Sequence, residues 1–339
     1  MRHCSPRESQ TPFTSTWRTL PMIAAFAVIV ALLALAVPGW ADPLAVAVEI
    51  KGSVTVTRAG GGKPQKAALG RGLERGDKIQ VGPGGSVTLF FNDGNVIELG
   101  EKSTMTIGGR VGAATGSAAA KSGLPSEVFA RVSRFVASDS HKSGMLAVAP
   151  LRGGEDAPQP MLLSPRRTSV RETRPSFTWR SVDGATRYQV SVTGDQGELW
   201  SRETGATMLD YPADAPELAA GGDYSCSVRA LSETAPLLTD TETFTVLPAE
   251  ETKQVGNDLQ GIEKATGTAS SSAAMYIAAS YLVGRGLYDE AVAQFEALVK
   301  VTPDAPGPHE ALGNVYRTIG LTEQAAGEYK RALELSQSQ

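Results

Sequence analysis

Apolar and polar residues alternate through the first part of the chain that follows an apolar N-terminal run. Val46, Val48 and Ile50 lie two residues apart, and this period of two predicts half-buried β-strands. Asp93-Gly94 stands between two further apolar runs. Both residues tolerate positive φ, so the dipeptide favours a tight hairpin. The pattern therefore predicts a β module over residues 44–108.

A second set of alternating segments occupies residues 164–247. Apolar and polar residues alternate up to Trp179 and again in later segments separated by glycine turns. Leu218, Gly221 and Tyr224 stand three residues apart and lead into a strand. This is the spacing of a tyrosine corner, in which the hydroxyl bonds to backbone upstream. Short strands at turn-marked intervals predict a β-sandwich.

The pattern changes to helical spacing after residue 252. A motif of small and aromatic residues occurs twice at an offset of 34 residues, as Ala291, Phe295 and Leu298 and then as Ala325, Tyr329 and Ala332. That offset is the period of a repeat built from two helices. Pro303 and Pro306 separate the two copies, because proline stops one helix and is tolerated at the start of the next. Two helix pairs are predicted, over about 272–305 and 306–339.

These patterns carry resemblances to three domain families. The Gly52–Val56 opening, the turn at Gly76-Asp77 and the Asp93-Gly94 hairpin resemble the FecR domain. Residues 164–247 are similar to a fibronectin type III or immunoglobulin-like domain. Residues 252–339 resemble tetratricopeptide repeats. The predicted fold class is therefore multidomain β plus α, with a FecR-like β domain, an Ig/fibronectin-like β-sandwich and a C-terminal helical tetratricopeptide array.

The N-terminal residues 1–41 have the pattern of an export signal. Basic residues end at Arg18, an apolar run covers 22–37, and small residues precede a cut after Ala41. The run is shorter than the roughly 20 residues of a spanning helix. We expect a signal peptide cleaved after Ala41, with an uncleaved single-pass anchor as the alternative. Both place the rest of the chain in the periplasm or outside the cytoplasm.

Residues 109–163 are predicted to be a linker with one short helix. Glycine, alanine and serine dominate its first part, a composition typical of a flexible spacer. Val128, Val132 and Val136 have helical spacing, and the polar triplet 139–141 is expected to end this helix. Asp, Ser and His adjacent in sequence do not face one another as a catalytic triad must, so we interpret the triplet as a polar loop.

Arginines concentrate around the start of the second β module. They are Arg152, Arg166, Arg167, Arg171, Arg174, Arg180 and Arg187. Acidic residues are interleaved with them, which predicts a solvated, salt-bridged face. The alternative is a surface for an anionic envelope partner, either a lipid headgroup or an acidic glycan.

Composition indicates a protein without catalytic or cofactor chemistry. The chain has three histidines and two cysteines, and their positions form no metal-ligand cluster. No phosphate-binding loop or serine elbow is present. The net charge of −4 argues against nucleic-acid binding. Cys226 lies in an alternating strand and is expected to be a buried small residue. We predict no enzyme activity and no cofactor.

The candidate binding residues come from the helical module. Tyr276, Tyr281, Asn314, Arg317 and Lys330 are the predicted concave-face positions for a protein partner, as the repeat resemblance implies. His309 replaces a packing aromatic and is expected to be packed rather than to bind a ligand. Two repeats are few for a stable array. Either a helix near 252–265 covers one end, or the last helix shows an apolar face to a partner or a second copy, which would give a homodimer.

The functional expectation is a non-catalytic envelope scaffold. The β modules would engage an envelope ligand, such as a glycan or a lipid headgroup, while the repeats bind a protein. Asp77 is expected to accept hydrogen bonds from its own turn rather than to hold a ligand. The alternative function is a membrane-anchored signal sensor of the FecR type. A third hypothesis, a secreted glycan-active enzyme, would need a carboxylate pair that a sequence does not reveal.

Overall fold

A computed structural model describes residues 43–108, 114–121, 123–146 and 161–337. Among these residues the chain forms one compact unit that begins after the N-terminal segment. The predicted signal peptide with its cleavage point, as well as Cys4 and Arg152, lie outside the described residues. None of the helices in the described ranges combines the length and the hydropathy that a bilayer crossing needs.

The first β module consists of two sheets packed face to face. Its strands are β1 (Ala45–Lys51), β2 (Val54–Thr57), β3 (Gln65–Lys66), β4 (Gly72–Leu73), β5 (Lys78–Val81), β6 (Ser86–Phe91), β7 (Val96–Leu99), β8 (Thr104–Thr106), β9 (Ala114–Thr115) and β10 (Ala118–Lys121). The first sheet has the order β10-β7-β6-β1-β4, and the second has the order β3-β2-β5-β8-β9. The strand pairs within both sheets are antiparallel. The predicted Asp93-Gly94 hairpin joins β6 to β7.

Strand β1 is buried on both faces, which differs from the half-buried strand that its alternation predicts. Ala45 and Ala47 lie in the core between the two sheets. Val46 and Val48 point the other way and are also fully buried, in a cluster shared with the helices. The alternation correctly separates the two faces of the strand. The second face is covered by residues that come much later in the chain, so the local pattern does not show it.

The module extends beyond residue 108, into the segment predicted as a flexible spacer. Strand β10 pairs with β7 through Ala118 and Leu99, and β9 pairs with β8. These two short strands form one edge of each sheet. The small residues that predicted a spacer therefore form edge strands. Pairing at a sheet edge uses backbone hydrogen bonds, which need no particular side chain.

Helix α1 (Ser126–Leu146) follows the edge strands and is longer than the predicted short helix. The triplet 139–141, expected to end the helix, lies within it. The helical apolar face is buried, with Val128 and Val132 fully inaccessible. Phe129 packs edge-on against Phe90 of the first sheet, with ring centroids 5.2 Å apart. The helix is therefore part of the core rather than a linker element.

The second β module is a sandwich of the immunoglobulin and fibronectin type. Its strands are β11 (Leu162–Ser164), β12 (Thr168–Val170), β13 (Phe177–Trp179), β14 (Arg187–Gly194), β15 (Gly197–Thr204), β16 (Met208–Leu209), β17 (Asp223–Leu231) and β18 (Pro236–Val246). A three-stranded sheet, β11-β13-β16, faces a five-stranded sheet, β12-β18-β17-β14-β15. Trp179 and Cys226 are buried between the sheets, as predicted. Burial in apolar surroundings raises the pKa of the Cys226 thiol.

The predicted tyrosine corner is confirmed. The amide N–H of Ala219 donates to the Tyr224 hydroxyl at 2.8 Å. Leu218 is buried in the sandwich core, and the Tyr224 ring packs on Phe244, with centroids 5.7 Å apart. The hydroxyl thus fixes the chain that enters β17 to the turn before it.

Five helices follow the sandwich in the described part of the chain. They are α2 (Ala249–Thr266), α3 (Ser272–Gly284), α4 (Tyr288–Val301), α5 (Pro306–Thr318) and α6 (Thr322–Gln337). Helices α3 and α4 form one hairpin, and α5 and α6 form the next. The turns use Gly286 and Gly320 with φ of 75° and 83°, values that glycine adopts without steric cost. The two hairpins match the positions of the predicted repeats.

Helix α2 covers one end of the hairpins, the first of the two predicted alternatives. Val255, Ile262 and Ala265 of α2 are buried in the cluster that includes α3. On the last helix, α6, Ala332 and Leu335 are buried inward. Leu333 is the large apolar residue of α6 that is exposed, at 54%. The described part of α6 therefore presents a mainly polar outer surface.

Part of the predicted arginine-rich face lies at the contact between the sandwich and the hairpins. Arg166 is 5% exposed and contacts Glu242 at 2.5 Å. Arg171 pairs with Glu290 of α4 at 2.6 Å, and Arg180 pairs with Glu323 of α6 at 3.1 Å. The last two contacts join the sandwich to both hairpins. The expected salt bridges are present, but Arg166 is buried rather than solvated.

Candidate functional site

The two predicted tyrosines of the concave face are inside the molecule. Tyr276 is 2% exposed and Tyr281 is fully buried. The ring of Tyr276 packs edge-on against Phe295, with centroids 6.1 Å apart, and Gly70 of the first β module lies directly over its hydroxyl. The β module thus covers the face that the repeat pattern predicted to be open, and it leaves Tyr276 only 2% exposed and Tyr281 fully buried.

Tyr281 belongs to a buried polar cluster with helix α2. Its hydroxyl donates to Asp258 at 2.5 Å and accepts from Nε of Arg285 at 3.0 Å. Burial, and then the hydrogen bond to Asp258, raises the pKa of Tyr281 to about 12, so the phenol stays protonated and donates. The cluster holds α2 on α3 and gives Tyr281 a structural role.

The other three predicted residues lie on the second hairpin. Asn314 is 4% exposed, and its Oδ1 accepts from the Tyr329 hydroxyl at 2.8 Å. Arg317 is half-buried and donates from Nε to the same hydroxyl at 3.2 Å. Lys330 is exposed on α6. The structure therefore joins Asn314 to Arg317 through Tyr329 and leaves Lys330 on a different, open surface.

His309 is packed, as expected. It is 6% exposed, and its Nδ1 lies 2.6 Å from an oxygen of Glu328. This contact links the first turn of α5 to α6. The side chain thus connects the two helices of the hairpin.

The aspartates of the first β module also have structural partners. Asp77 is 1% exposed. It accepts from the amide of Glu74 in its own turn at 3.0 Å, as predicted, and from the amide of Ala59 at 3.1 Å. Arg58 pairs with it at 2.5 Å. Asp93 accepts from the amide of Asn95 at 3.0 Å within the hairpin. Turn geometry accounts for both carboxylates.

Accessible concave surface occurs where the first β module meets the hairpins. Residues 67–71, which join β3 to β4, lie across the start of α5. Backbone bonds hold this segment in place, from the amide of Ala67 to Val54 at 2.8 Å and from the amide of Gly70 to Ala47 at 2.7 Å. Gly307 sits against Leu69 so closely that a Cβ there would be 2.4 Å from the Leu69 carbonyl oxygen. A cleft opens on either side of this contact.

We call the first of these the apolar cleft. It has a volume of about 400 Å³ and lies between β1, the 67–71 segment and the loop after α4. Its apolar lining comes from Ile50, Leu69, Val301, Pro303 and Pro306, and its charged lining from Glu49, Lys51, Lys66 and Asp304. Val301 is 53% exposed.

The second is the arginine cleft, of about 370 Å³, lined by Arg58, Arg71, Tyr276, Gly307, Glu310 and Ser336 together with neighbouring backbone. It shares Leu69 and Pro306 with the apolar cleft. The sequence analysis missed both clefts, because their walls come from residues more than two hundred positions apart. The available signal was Gly307 between two prolines, a glycine at a helix start where little else requires one.

Metal chemistry has no evident site in the described ranges. No group of three or more His, Cys, Asp or Glu side chains there is arranged to hold an ion. The clefts offer guanidinium, ammonium, carboxylate and aliphatic groups, which suit binding of a charged or amphipathic partner.

Comparisons with known proteins give limited likeness. No protein-family model matches the chain, and no curated protein matches it. Among solved structures, the chain is similar to the fn3 domain of human collagen alpha-1(XX), with 19% identity and a TM-score of 0.22, over 28% of this chain and 92% of that one. It is similar to FN3tt, with 17% identity and a TM-score of 0.21, over 27% and 98%. It is also similar to CopC from Methylosinus trichosporium OB3b, with 22% identity and a TM-score of 0.20, over 26% and 93%.

Proposed function

We propose that the protein is a non-catalytic scaffold of the cell envelope that holds a protein partner at the junction of its modules. The observation that supports this is the apolar cluster shared by the first sheet, helix α1 and both hairpins. Because one core continues through all three, the clefts at their junction have fixed walls. A preorganised surface loses less entropy when it binds.

The finer identities of the modules belong to this proposal. The FecR-like assignment is supported by the turn at Gly76-Asp77 and the hairpin at Asp93-Gly94. The tetratricopeptide assignment is supported by the two hairpins and by Gly313, whose missing side chain makes room for the Tyr329 ring. Export of the chain rests on the pattern of residues 1–41. A glycan or lipid headgroup bound by the β modules is the envelope ligand that we propose.

The apolar cleft is the proposed contact for the protein partner. Its centre is aliphatic and its rim carries Lys66 and Asp304, and protein interfaces have this arrangement of apolar core and polar rim. The exposed Val301 would lose its water contacts when a partner side chain enters. The cleft takes this role in place of the predicted concave-face positions Tyr276, Tyr281 and Asn314, because those three are buried.

The test is photo-crosslinking in cells, with the crosslinking amino acid placed at Lys66 or at Asp304. A matched control places it at Glu198, which lies on the outer strand β15 of the sandwich. We expect the same adduct from both rim positions, absent at Glu198, and lost when Val301→Asp is added. Adducts that are equal at all three positions, or unchanged by Val301→Asp, would contradict the proposal. Deleting the hairpins is not informative, since they share a core with the β module.

The sensor alternative differs from the scaffold in the fate of residues 1–41. A FecR-type sensor needs its N-terminal segment retained as an anchor. Mass spectrometry of the intact protein from fractionated cells decides between them. A mature chain that begins at Asp42 in the soluble envelope fraction favours the scaffold. A full-length chain in the membrane fraction favours the sensor.

A further inference from the structure

Arg71 is a half-buried cation in the wall of the arginine cleft. Its Nη2 donates to the side-chain oxygen of Gln65 at 3.0 Å, a neutral partner. Within the described ranges no carboxylate comes within 4 Å of its guanidinium. Most other arginines placed between the modules, such as Arg166 and Arg171, have a carboxylate partner. The charge of Arg71 is therefore not neutralised by a direct ion pair there.

Two features beside Arg71 add positive potential to the cleft, namely Arg58 and the start of helix α5. Arg58 lines the same cleft. Asp77, whose charge acts on Arg71, is already engaged by Arg58 at 2.5 Å and by two backbone amides. The start of α5 faces the cleft through Gly307, and a helix N-terminus carries a partial positive charge. Ala305, which precedes α5, supplies no side-chain cap for it.

Electrostatics at Arg71 agree with this geometry. Burial, and then the neighbouring Arg58 charge, lowers the pKa of Arg71, and the more distant Asp77 opposes this. A lowered arginine pKa means that the charged form is held at a cost. An anion that enters the cleft would offset that cost, because charge-assisted hydrogen bonds to a guanidinium fork are among the strongest that proteins make.

We propose that the arginine cleft binds an anionic group, a carboxylate or a phosphate, on the guanidinium of Arg71 beside Arg58. The position is preorganised because backbone bonds of the 67–71 segment and the Gly307 contact fix it against α5. Glu310 lines the cleft as well, and its negative charge weakens anion binding there. This proposal does not rest on the partner contact proposed for the apolar cleft.

The test measures the melting temperature of the mature chain with inorganic phosphate or with acetate, each against chloride at equal ionic strength. We expect a saturable rise of about 2–3 °C at ten times the Kd for whichever anion fits. A rise with phosphate and none with acetate would identify a phosphate group as the ligand. A rise with acetate and none with phosphate would identify a carboxylate. No rise above chloride with either anion would overturn the proposal.

Substitutions in and near the cleft test whether the anion-dependent rise in melting temperature comes from Arg71. Arg71→Gln is expected to abolish the anion-dependent rise, whatever its own melting temperature, while Arg75→Gln keeps it. Arg75 is the matched control because it is an exposed arginine only four residues away. Glu310→Gln is expected to lower the Kd for the anion. An equal rise in the Arg71 and Arg75 variants, or an unchanged Kd for Glu310→Gln, would place the anion elsewhere and overturn the assignment.

Discussion

Arg166 of the sandwich donates from Nε to the main-chain carbonyl of Ile319, at the end of helix α5, at 2.8 Å. The two residues are 153 positions apart. The same guanidinium also contacts Glu242 at 2.5 Å and Asp240 at 3.3 Å. One buried side chain thus satisfies a helix C-terminal carbonyl and two carboxylates of strand β18, and it fastens the sandwich to the second hairpin.

Arg166→Met should destabilise the chain strongly. Methionine replaces the guanidinium by an uncharged chain that still fills most of the space. The change leaves Asp240 without its cation and the Ile319 carbonyl without a donor. Breaking a buried pair in this way costs about 3–5 kcal/mol. Urea unfolding of the variant measures the loss. The control is Arg187→Met, whose pair with Glu203 at 3.4 Å is more than half exposed and contributes about 0–1 kcal/mol. Equal losses would contradict a special role for Arg166.

Tyr224→Phe tests the tyrosine corner. The variant keeps the ring on Phe244 but removes the acceptor for the Ala219 amide. A neutral hydrogen bond of this kind contributes about 0.5–1.5 kcal/mol, so we expect a loss of about 1 kcal/mol in the free energy of unfolding. A loss below about 0.3 kcal/mol would show that water replaces the hydroxyl and that the corner has little energetic weight.

Phe129→Ala tests whether α1 is part of the core. The Phe129 ring packs on Phe90 and is 4% exposed. Large-to-small changes of buried aromatic residues cost about 3–5 kcal/mol. The control is Arg134→Ala on the exposed side of the same helix, expected to change stability by about 0.5 kcal/mol or less. If Phe129→Ala were as mild as its control, α1 would be the loosely attached linker that the sequence suggested.

What the sequence predicted well is what local pattern determines. The tyrosine corner needs Leu218, Gly221 and Tyr224 within seven residues, so the spacing itself carries the contact. The turns at Gly286 and Gly320 and the two helix pairs follow from a repeat period and from glycine at positive φ. Burial of Trp179 and Cys226 follows from strand alternation. In each case the residues that interact are close in the chain or share one strand.

The sequence did not predict which faces are covered or where the clefts lie, because these depend on contacts between distant residues. The repeat resemblance predicted that Tyr276 and Asn314 face an open groove. Here Gly70, two hundred positions earlier, lies over the Tyr276 hydroxyl, and Asn314 bonds to Tyr329. The binding clefts arise from the same long-range packing. A pattern within one module cannot reveal which other module covers it.

Gly307→Ala should destabilise the chain by displacing the 67–71 segment from the start of helix α5. An added Cβ would lie 2.4 Å from the carbonyl oxygen of Leu69, so the 67–71 segment must move. Overpacking of this kind costs about 1–3 kcal/mol. Gly327→Ala on the exposed side of α6, where nothing lies within 4 Å, should instead stabilise by about 1 kcal/mol through helix propensity. Thermal unfolding of both variants would show opposite shifts, and a shared sign would contradict the close contact.

Asp289 gives the interface between sandwich and hairpins a dependence on pH. Burial raises the pKa of this carboxyl from 3.8 to about 6, although Ser164 donates to it at 2.5 Å. Between pH 4 and 6 the folded chain therefore holds a proton that the unfolded chain releases, so the free energy of unfolding falls as pH rises through this window. The expected decrease is on the order of 3 kcal/mol.

Asp289→Asn should remove that decrease. The amide keeps the shape of the side chain and cannot ionise, so urea unfolding at pH 4.5 and at pH 7 should differ less for the variant than for the wild-type chain. At pH 7 the variant should also be the more stable of the two, because the buried charge is gone. Parallel pH profiles for the two proteins would show that Asp289 titrates at its ordinary pKa, and that this corner of the interface admits water.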